Sequence, residues 1–219
     1  SLENAQLTYE KKHELNLGLD VGFVNNRINL AFDWYKRNNF DLIGTVTTQG
    51  IGGEISKYGN VAEMKSQGVE LSLFTRNIER KDFKWQTNFI FAWMDNEVTK
   101  LKTMTRMIDY ITGTGYSMEG TPRGSLFSLK FKGLNEMGIP TFLAADGSIT
   151  STNIQFQETV NMSNLVYEGP VDPTITGSLG NIFKWKGFTL NVFMTYSFGN
   201  VVRLDPIFSN GYSDLTAMP

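Results

Sequence analysis

Asp20 and Asp33 are the first candidates for chemistry, because both fall on the polar face of one predicted hairpin, as a general acid and base would. They stand diagonally rather than opposite each other, with no base close by in sequence, so a polar wall is the simpler reading. Asp146-Gly147 could open a calcium loop, but the further carboxylates such a loop needs are missing, and a Gly-supported turn is expected instead. Gly50-Ile51-Gly52-Gly53 and Gly113-Thr114-Gly115 are rich enough in glycine to cradle phosphate. Neither lies between a strand and a helix, so both read as loops. His13 is the only histidine and there is no cysteine, which rules out His-rich zinc sites, thiolate sites and disulfides. Lys100, Lys102 and Arg106 form a loose basic group, and Tyr58, Tyr110, Tyr116, Tyr167 and Tyr212 are potential stacking platforms on loops. No residue is assigned a catalytic, metal-binding or cofactor-binding role, and substrate-contacting residues are unknown.

The elements that must carry these groups are strands. From His13 to Phe23 the apolar residues Leu15, Leu17, Leu19, Val21 and Phe23 alternate with Glu14, Asn16, Gly18, Asp20 and Gly22. From Ile28 to Trp34 they fall on Ile28, Leu30, Phe32 and Trp34. A two-residue turn at Asn25-Asn26 pairs Phe23 with Ile28, Val21 with Leu30, Leu19 with Phe32 and Leu17 with Trp34, so the apolar faces coincide. The hairpin around Lys186-Gly187 passes the same test. Trp185 faces Phe188, Phe183 faces Leu190 and Leu179 faces Met194, while Ser178 meets Thr195 and Thr176 meets Ser197 on the other side.

Val69 to Phe74 and Trp85 to Trp93 alternate likewise. Phe127 to Phe131 and Pro140 to Ala144 are shorter candidates, making about eight strands. Turns are tight at one end, and long polar stretches (Lys36 to Gln67, Asp95 to Gly124) connect the strands at the other. Trp34, Tyr35, Trp93, Tyr196 and Phe198 lie near the long-loop ends, and Phe23, Trp85 and Trp185 near the short turns. Two aromatic bands, period-2 alternation and unequal connections are the pattern of a transmembrane β-barrel. Lys plus Arg is 20 against 22 for Asp plus Glu, which argues against a nucleic-acid partner. No apolar run reaches the ~18–20 residues of a membrane helix, and the N-terminal residues do not read as a signal peptide.

Three segments resemble the SusC/RagA family of TonB-dependent outer-membrane transporters. Residues 9–43, YEKKHELNLGLDVGFVNNRINLAFDWYKRNNFDLI, match its strand–Asn-Asn-Arg–strand stretch. Residues 59–73, GNVAEMKSQGVELSL, match the segment entering the next strand, with Ala62 where Gly is usual. Residues 172–202 resemble its late-barrel hairpin. The resemblance implies an all-β fold of antiparallel up-and-down strands from a 22-stranded transmembrane barrel, with long extracellular loops. Residues 1–219 would be an incomplete, late-barrel portion without the plug, the TonB box or the final strands, exposing two strand edges. It further implies a Gram-negative outer-membrane location in contact with lipid. The expected cargo is an oligosaccharide or peptide, the expected partners a SusD-like surface lipoprotein and, through the plug, the TonB complex, with no catalysis and no cofactor. Lys100, Lys102 and Arg106 would then be solvated or touch lipopolysaccharide or a partner. The pattern leaves open a soluble or surface-attached β-sandwich adhesin and, less well supported for want of a Ser-His or Asp-His pair, an outer-membrane enzyme.

Overall fold

The computed structural model describes residues 7–47, 56–103, 105–152 and 154–204; Gly50 to Gly53 and Tyr212 lie outside them. Six strands form one antiparallel sheet: β1 (Lys11–Phe23), β2 (Ile28–Thr47), β3 (Ser56–Glu79), β4 (Phe83–Leu101), β10 (Ile175–Trp185) and β11 (Phe188–Phe198), in that spatial order. Between β4 and β10 the chain makes an excursion holding α1 (Met107–Thr112), β5 (Ser125–Leu129), β6 (Phe131–Leu134), β7 (Pro140–Leu143), β8 (Ile149–Thr150) and β9 (Leu165–Pro170). There β5 pairs with β9, and β6, β7 and β8 form a small meander.

Both hairpin registers read from the sequence are present, Leu17 opposite Trp34 and Phe183 opposite Leu190 among them. The first turn is wider than expected. Four residues, Val24 to Arg27, close it, with positive φ at Val24, Asn25 and Asn26. The other tip is the expected two-residue turn, with Lys186 at φ 44° and Gly187 at φ 92°, a combination that matches the right-handed strand twist.

Register across the sheet aligns the apolar sets in rows. Val21, Leu30, Leu73, Phe89, Leu179 and Met194 make one, and Leu17, Trp34, Val69, Trp93, Ile175 and Phe198 the next toward the long-loop side. Apart from Thr87, the apolar face of β4 is unbroken from Phe83 to Trp93. That is ~34 Å of strand, or ~24 Å of height at ~45° tilt, the band a bilayer requires. Nothing among the described residues covers this face: Leu17 and Leu19 are each 57% exposed and Leu190 59%. A β-sandwich would bury these side chains under a second layer.

Two expectations need correction. The stretches read as loops at Lys36–Gln67 and Asp95–Gly124 are largely strand, since β2 continues to Thr47, β3 begins at Ser56 and β4 runs to Leu101. Beyond the Trp34–Trp93 row polar and charged residues fall on both faces among apolar ones such as Val61 and Val98, so the alternation that marks a strand vanishes although the ladder continues. Cross-strand ion pairs Arg37–Glu14 (2.9 Å), Lys65–Glu97 (2.8 Å) and Lys100–Glu63 (3.1 Å) line this part. Secondly, Phe127–Phe131 and Pro140–Ala144 are not wall strands. Phe127 belongs to β5 and Phe131 to β6, in separate sheets of the excursion, and Pro140 starts β7.

Candidate functional site

The polar face of the sheet is the first part of the candidate site. Its rows run Gly18, Asp33, Glu70, Ala92, Thr176, Ser197 and, below, Asp20, Ala31, Ser72, Ile90, Ser178, Thr195. Asp33 is opposite Gly18 and Glu70, whereas Asp20 is opposite Ala31, so the two aspartates do not form a facing pair. Phe74, Ile182 and Phe193 interrupt the polar surface and bound a shallow groove with Gln86, Asn88 and Asn191. Tyr35, placed by the sequence in an aromatic band, is on this face instead. It registers with Asn16 and Gly68, its ring lies over Gly68, and it is buried. The Arg37 guanidinium lies 4.0 Å from its ring centroid and donates to Glu14 through Nε at 2.9 Å. Hydrogen bonds from Lys12 and then Arg37 hold the Glu14 carboxyl below its usual range. This Glu14–Arg37–Tyr35 cluster was missed. Carrying the β1–β2 register two pairs past Asn16–Tyr35 would have found it.

The excursion is the second part. Its core is Met107, Tyr110, Leu126, Phe127 and Ile154, all buried. Tyr110 meets Phe127 edge-on at 5.1 Å and Tyr116 at 5.7 Å, and Phe127 meets Tyr167 at 6.0 Å. Three of the tyrosines proposed as platforms thus converge, but not as equals. Tyr110 is buried, its hydroxyl donating to the Ser117 carbonyl, and it serves the core. Tyr116 and Tyr167 keep 38% and 44% of their surface, and Tyr58, on β3, keeps 66%. Gly113 donates its N–H to the Asp109 carbonyl at the end of α1, and Asp146 accepts from the Ser148 backbone and hydroxyl in the β7–β8 turn. Both act as turn residues. His13 stacks edge-on against Phe40 at 5.2 Å. The basic group does not act together: Lys100 is held by Glu63 and Arg106 by Asp109.

Anchors fix the excursion to the sheet. The Val98 N–H donates to Thr121 O and Gly120 N–H to Val98 O, both at 2.9 Å, and Arg123 N–H donates to the Asn96 side chain at 2.8 Å. Arg203, just past β11, closes the far side by donating to three carbonyls, Gly113 (3.2 Å), Tyr110 (3.4 Å) and Phe127 (3.0 Å). Nothing local in sequence marks Arg203, because its acceptors are distant backbone groups. Arg203→Ala is expected to remove about 2 kcal/mol of local stability, as hydrogen bonds to a charged group do. Amide exchange at Tyr110–Gly113 and in β5 would then quicken by roughly thirtyfold. Arg203→Lys should restore less than half, since an ammonium cannot span three separated acceptors. Unchanged exchange in Arg203→Ala would show that the clamp is dispensable.

The start of α1 should respond to pH. Arg106 donates to both Asp109 oxygens, at 2.9 and 2.7 Å, and the Asp109 carboxyl accepts from the Arg106 backbone. These hydrogen bonds, then the attraction of the guanidinium, hold the Asp109 carboxyl below its usual range. A depressed carboxylate stabilises above its ordinary range and stops doing so as pH falls through its folded value. Acidification should therefore loosen α1, seen as faster intrinsic-corrected exchange at Gly113, and Asp109→Asn should abolish that acid step. A step that persists in the variant would assign it elsewhere.

The family model described as TonB dependent receptor-like, beta-barrel matches residues 1–207. The chain is 29% identical over 213 residues to TonB-dependent receptor P3 of Formosa agariphila, covering 91% of this chain and 21% of the relative. It is 35% identical over 99 residues to TonB-dependent receptor SusC of Bacteroides thetaiotaomicron, covering 45% of this chain and 10% of that one. The solved RagAB peptide transporter superposes with a TM-score of 0.68 at 29% identity, over 87% of this chain and 21% of that chain. The chain thus spans about a fifth of the length of the P3 receptor and of the RagAB chain. A two-faced antiparallel wall, a band of bilayer height and these likenesses agree: the chain belongs to the TonB-dependent receptor-like β-barrel family, in its SusC/RagA group.

Proposed function

We propose that residues 1–219 are part of the wall and rim of an outer-membrane, TonB-dependent importer of oligosaccharides or peptides, and that they carry no catalysis. The observation that carries this is the two-faced sheet. One face offers hydrocarbon an apolar band, broken only by the row Thr75, Thr87 and Asn181 among the described residues, and the other offers water a wall of Ser, Thr, Asn and acidic side chains. The folded excursion beyond the band is the surface for cargo and for a SusD-like surface lipoprotein, with Tyr116 and Tyr167 as partly exposed aromatic contacts. Peptide is the first cargo to test, since the solved relative is described as a peptide transporter. Coupling to the TonB complex would act through a plug and not through these strands.

The excursion is the part to test. Thr174 O accepts from Met94 N–H, so β4 at Met94 and the chain entering β10 already lie side by side. Replacing residues 96–172, the excursion together with the last six residues of β4, in the membrane-assembled protein by a short turn should leave the barrel heat-modifiable on gels. Uptake and co-purification of the lipoprotein should fall at least about tenfold, the loss of ~1.4 kcal/mol of productive binding. Unchanged uptake and co-purification would remove the excursion from the function.

A further inference from the structure

The first hairpin carries two glycines on the inner face of β1, and side-chain oxygens occupy the space each leaves open. A Cβ at Gly18 would lie 2.7 Å from Asp33 Oδ1. A Cβ at Gly22 would lie 2.4 Å from Asn26 Oδ1 and 3.3 Å from Asn29 Oδ1. Asp20 stands between the two glycines and shares their face, because side chains two apart on a strand point the same way. Asp20, Asn26, Asn29 and Ser72 line one groove of about 260 Å³ there, together with Phe74.

The amide orientations follow from their hydrogen bonds. Asn29 Nδ2 donates to the Asn26 backbone carbonyl at 3.0 Å, so its oxygen is the atom left toward Gly22. Asn26 is brought over Gly22 by an unusual turn, in which Val24, Asn25 and Asn26 follow one another at φ 53°, 53° and 59°. Asparagine adopts that conformation readily, but a β-branched valine does so under strain. The turn thus stores strain while holding an amide oxygen above a glycine.

Among the described residues no donor reaches the Asp20 carboxylate, Asn26 Oδ1 or Asn29 Oδ1. The neighbouring cation, Arg27, is turned away, donating to the Arg76 and Asn77 carbonyls of β3 at 3.2 and 3.1 Å. One row beyond Asp20, Asp33 and Glu70 oppose each other across β2 and β3 and add negative potential to the same face. A carboxylate and two amide oxygens, at a turn and open to water, are a donor set for a hard cation with a loose coordination shell. Calcium has such a shell, whereas the smaller magnesium ion demands a near-octahedral one. We propose that Asp20, Asn26 and Asn29 bind a calcium ion, with water completing its shell, and that the ion pins the β1–β2 turn to the inner wall.

The test follows amide exchange in the membrane-assembled protein, in phosphatidylcholine vesicles whose headgroups carry no net charge. Its reporter is the Arg27 N–H, held by the Phe23 and Val24 carbonyls at 3.1 and 3.2 Å, which exchanges only when the turn opens. One carboxylate with two neutral oxygens belongs with the weakest calcium sites, at a Kd of about 1 mM. Calcium at about 10 mM should therefore slow that exchange roughly tenfold. Magnesium at the same concentration should slow it less than about twofold. Asp20→Asn keeps the shape and removes the charge, and Gly22→Ala puts a methyl group where Asn26 Oδ1 lies. Each should cut the calcium effect below about twofold. Exchange at Arg27 that ignores calcium in the unaltered protein overturns the proposal, whether or not either variant assembles. So does an equal response to magnesium, or a calcium response that survives Asp20→Asn intact. Uptake is no part of this readout, so a negative result would leave the import reading standing.

Discussion

Phe89→Arg is expected to block assembly into the membrane, whereas Asn88→Arg, one residue away, should be nearly silent. Phe89 is flanked by Leu73 and Leu179 in the middle of the apolar band, and Asn88 points to the opposite face beside Phe74 and Gly180. A cationic side chain at the midplane on the lipid side costs about 2–4 kcal/mol, while a wall residue facing water costs little. A folding titration in urea with vesicles, read by heat-modifiable mobility, measures both. Because β-barrel assembly is cooperative, a loss of that size should appear as a depleted folded band and not as a slight shift. If Asn88→Arg carried the penalty and Phe89→Arg did not, the two faces would have been assigned the wrong way round, and the polar wall would be lost with them.

The second large effect is expected at Gly177. A Cβ added there would lie 2.2 Å from the Ile90 carbonyl oxygen and 2.3 Å from the Tyr196 hydroxyl oxygen. The Tyr196 ring covers this glycine, and its hydroxyl donates to the same Ile90 carbonyl at 2.9 Å. The tyrosine thus fills the missing side chain and ties β11 to β4 across β10. A flexible side chain could step aside, but the Ile90 carbonyl is part of the wall and cannot move without opening it. Gly177→Val should cost about 3 kcal/mol through overpacking and separation of the strands. Its measure is the urea midpoint of the assembled protein. Tyr196→Phe keeps the ring over the glycine and should cost only about 1 kcal/mol, the net worth of one hydrogen bond. Should Gly177→Val match the unaltered midpoint, the close approach of β4 and β10 would be relieved at no cost, contrary to the packing described.

The wall was legible because one face must suit hydrocarbon. That requirement imposes alternation on Leu17 to Phe23, Ile28 to Trp34 and Trp85 to Trp93, and in a hairpin alternation fixes register. It stops being legible where it stops being required. Past the Trp34–Trp93 row polar side chains occupy both sides, so Asn38, Lys65 and Glu97 carry no period, although they lie in strands. Tyr35 was misplaced because an aromatic residue at a band edge fits a girdle as well as a lumen; only its parity, opposite to that of Trp34, distinguishes the two. The excursion was illegible for another reason. Its strands are four to six residues long apart from the two-residue β8, and Phe127 and Phe131, spaced like one strand, belong to two sheets. Long-range partners such as Trp85 with Asn181, or Arg203 with Phe127, leave no local trace. At the candidate site the sequence supplied the polar wall and two partly exposed tyrosines, but neither the Arg203 clamp nor the Arg37–Tyr35 stack.

Because β4 and β10 are direct neighbours, everything between Leu101 and Ile175 is an insertion that the ladder does not need. Closing such a segment becomes only slightly harder as it lengthens, by about 0.6 kcal/mol per doubling. A crown of different length or fold would therefore cost the staves little. Among relatives, sequence divergence should pile up at that one seam first.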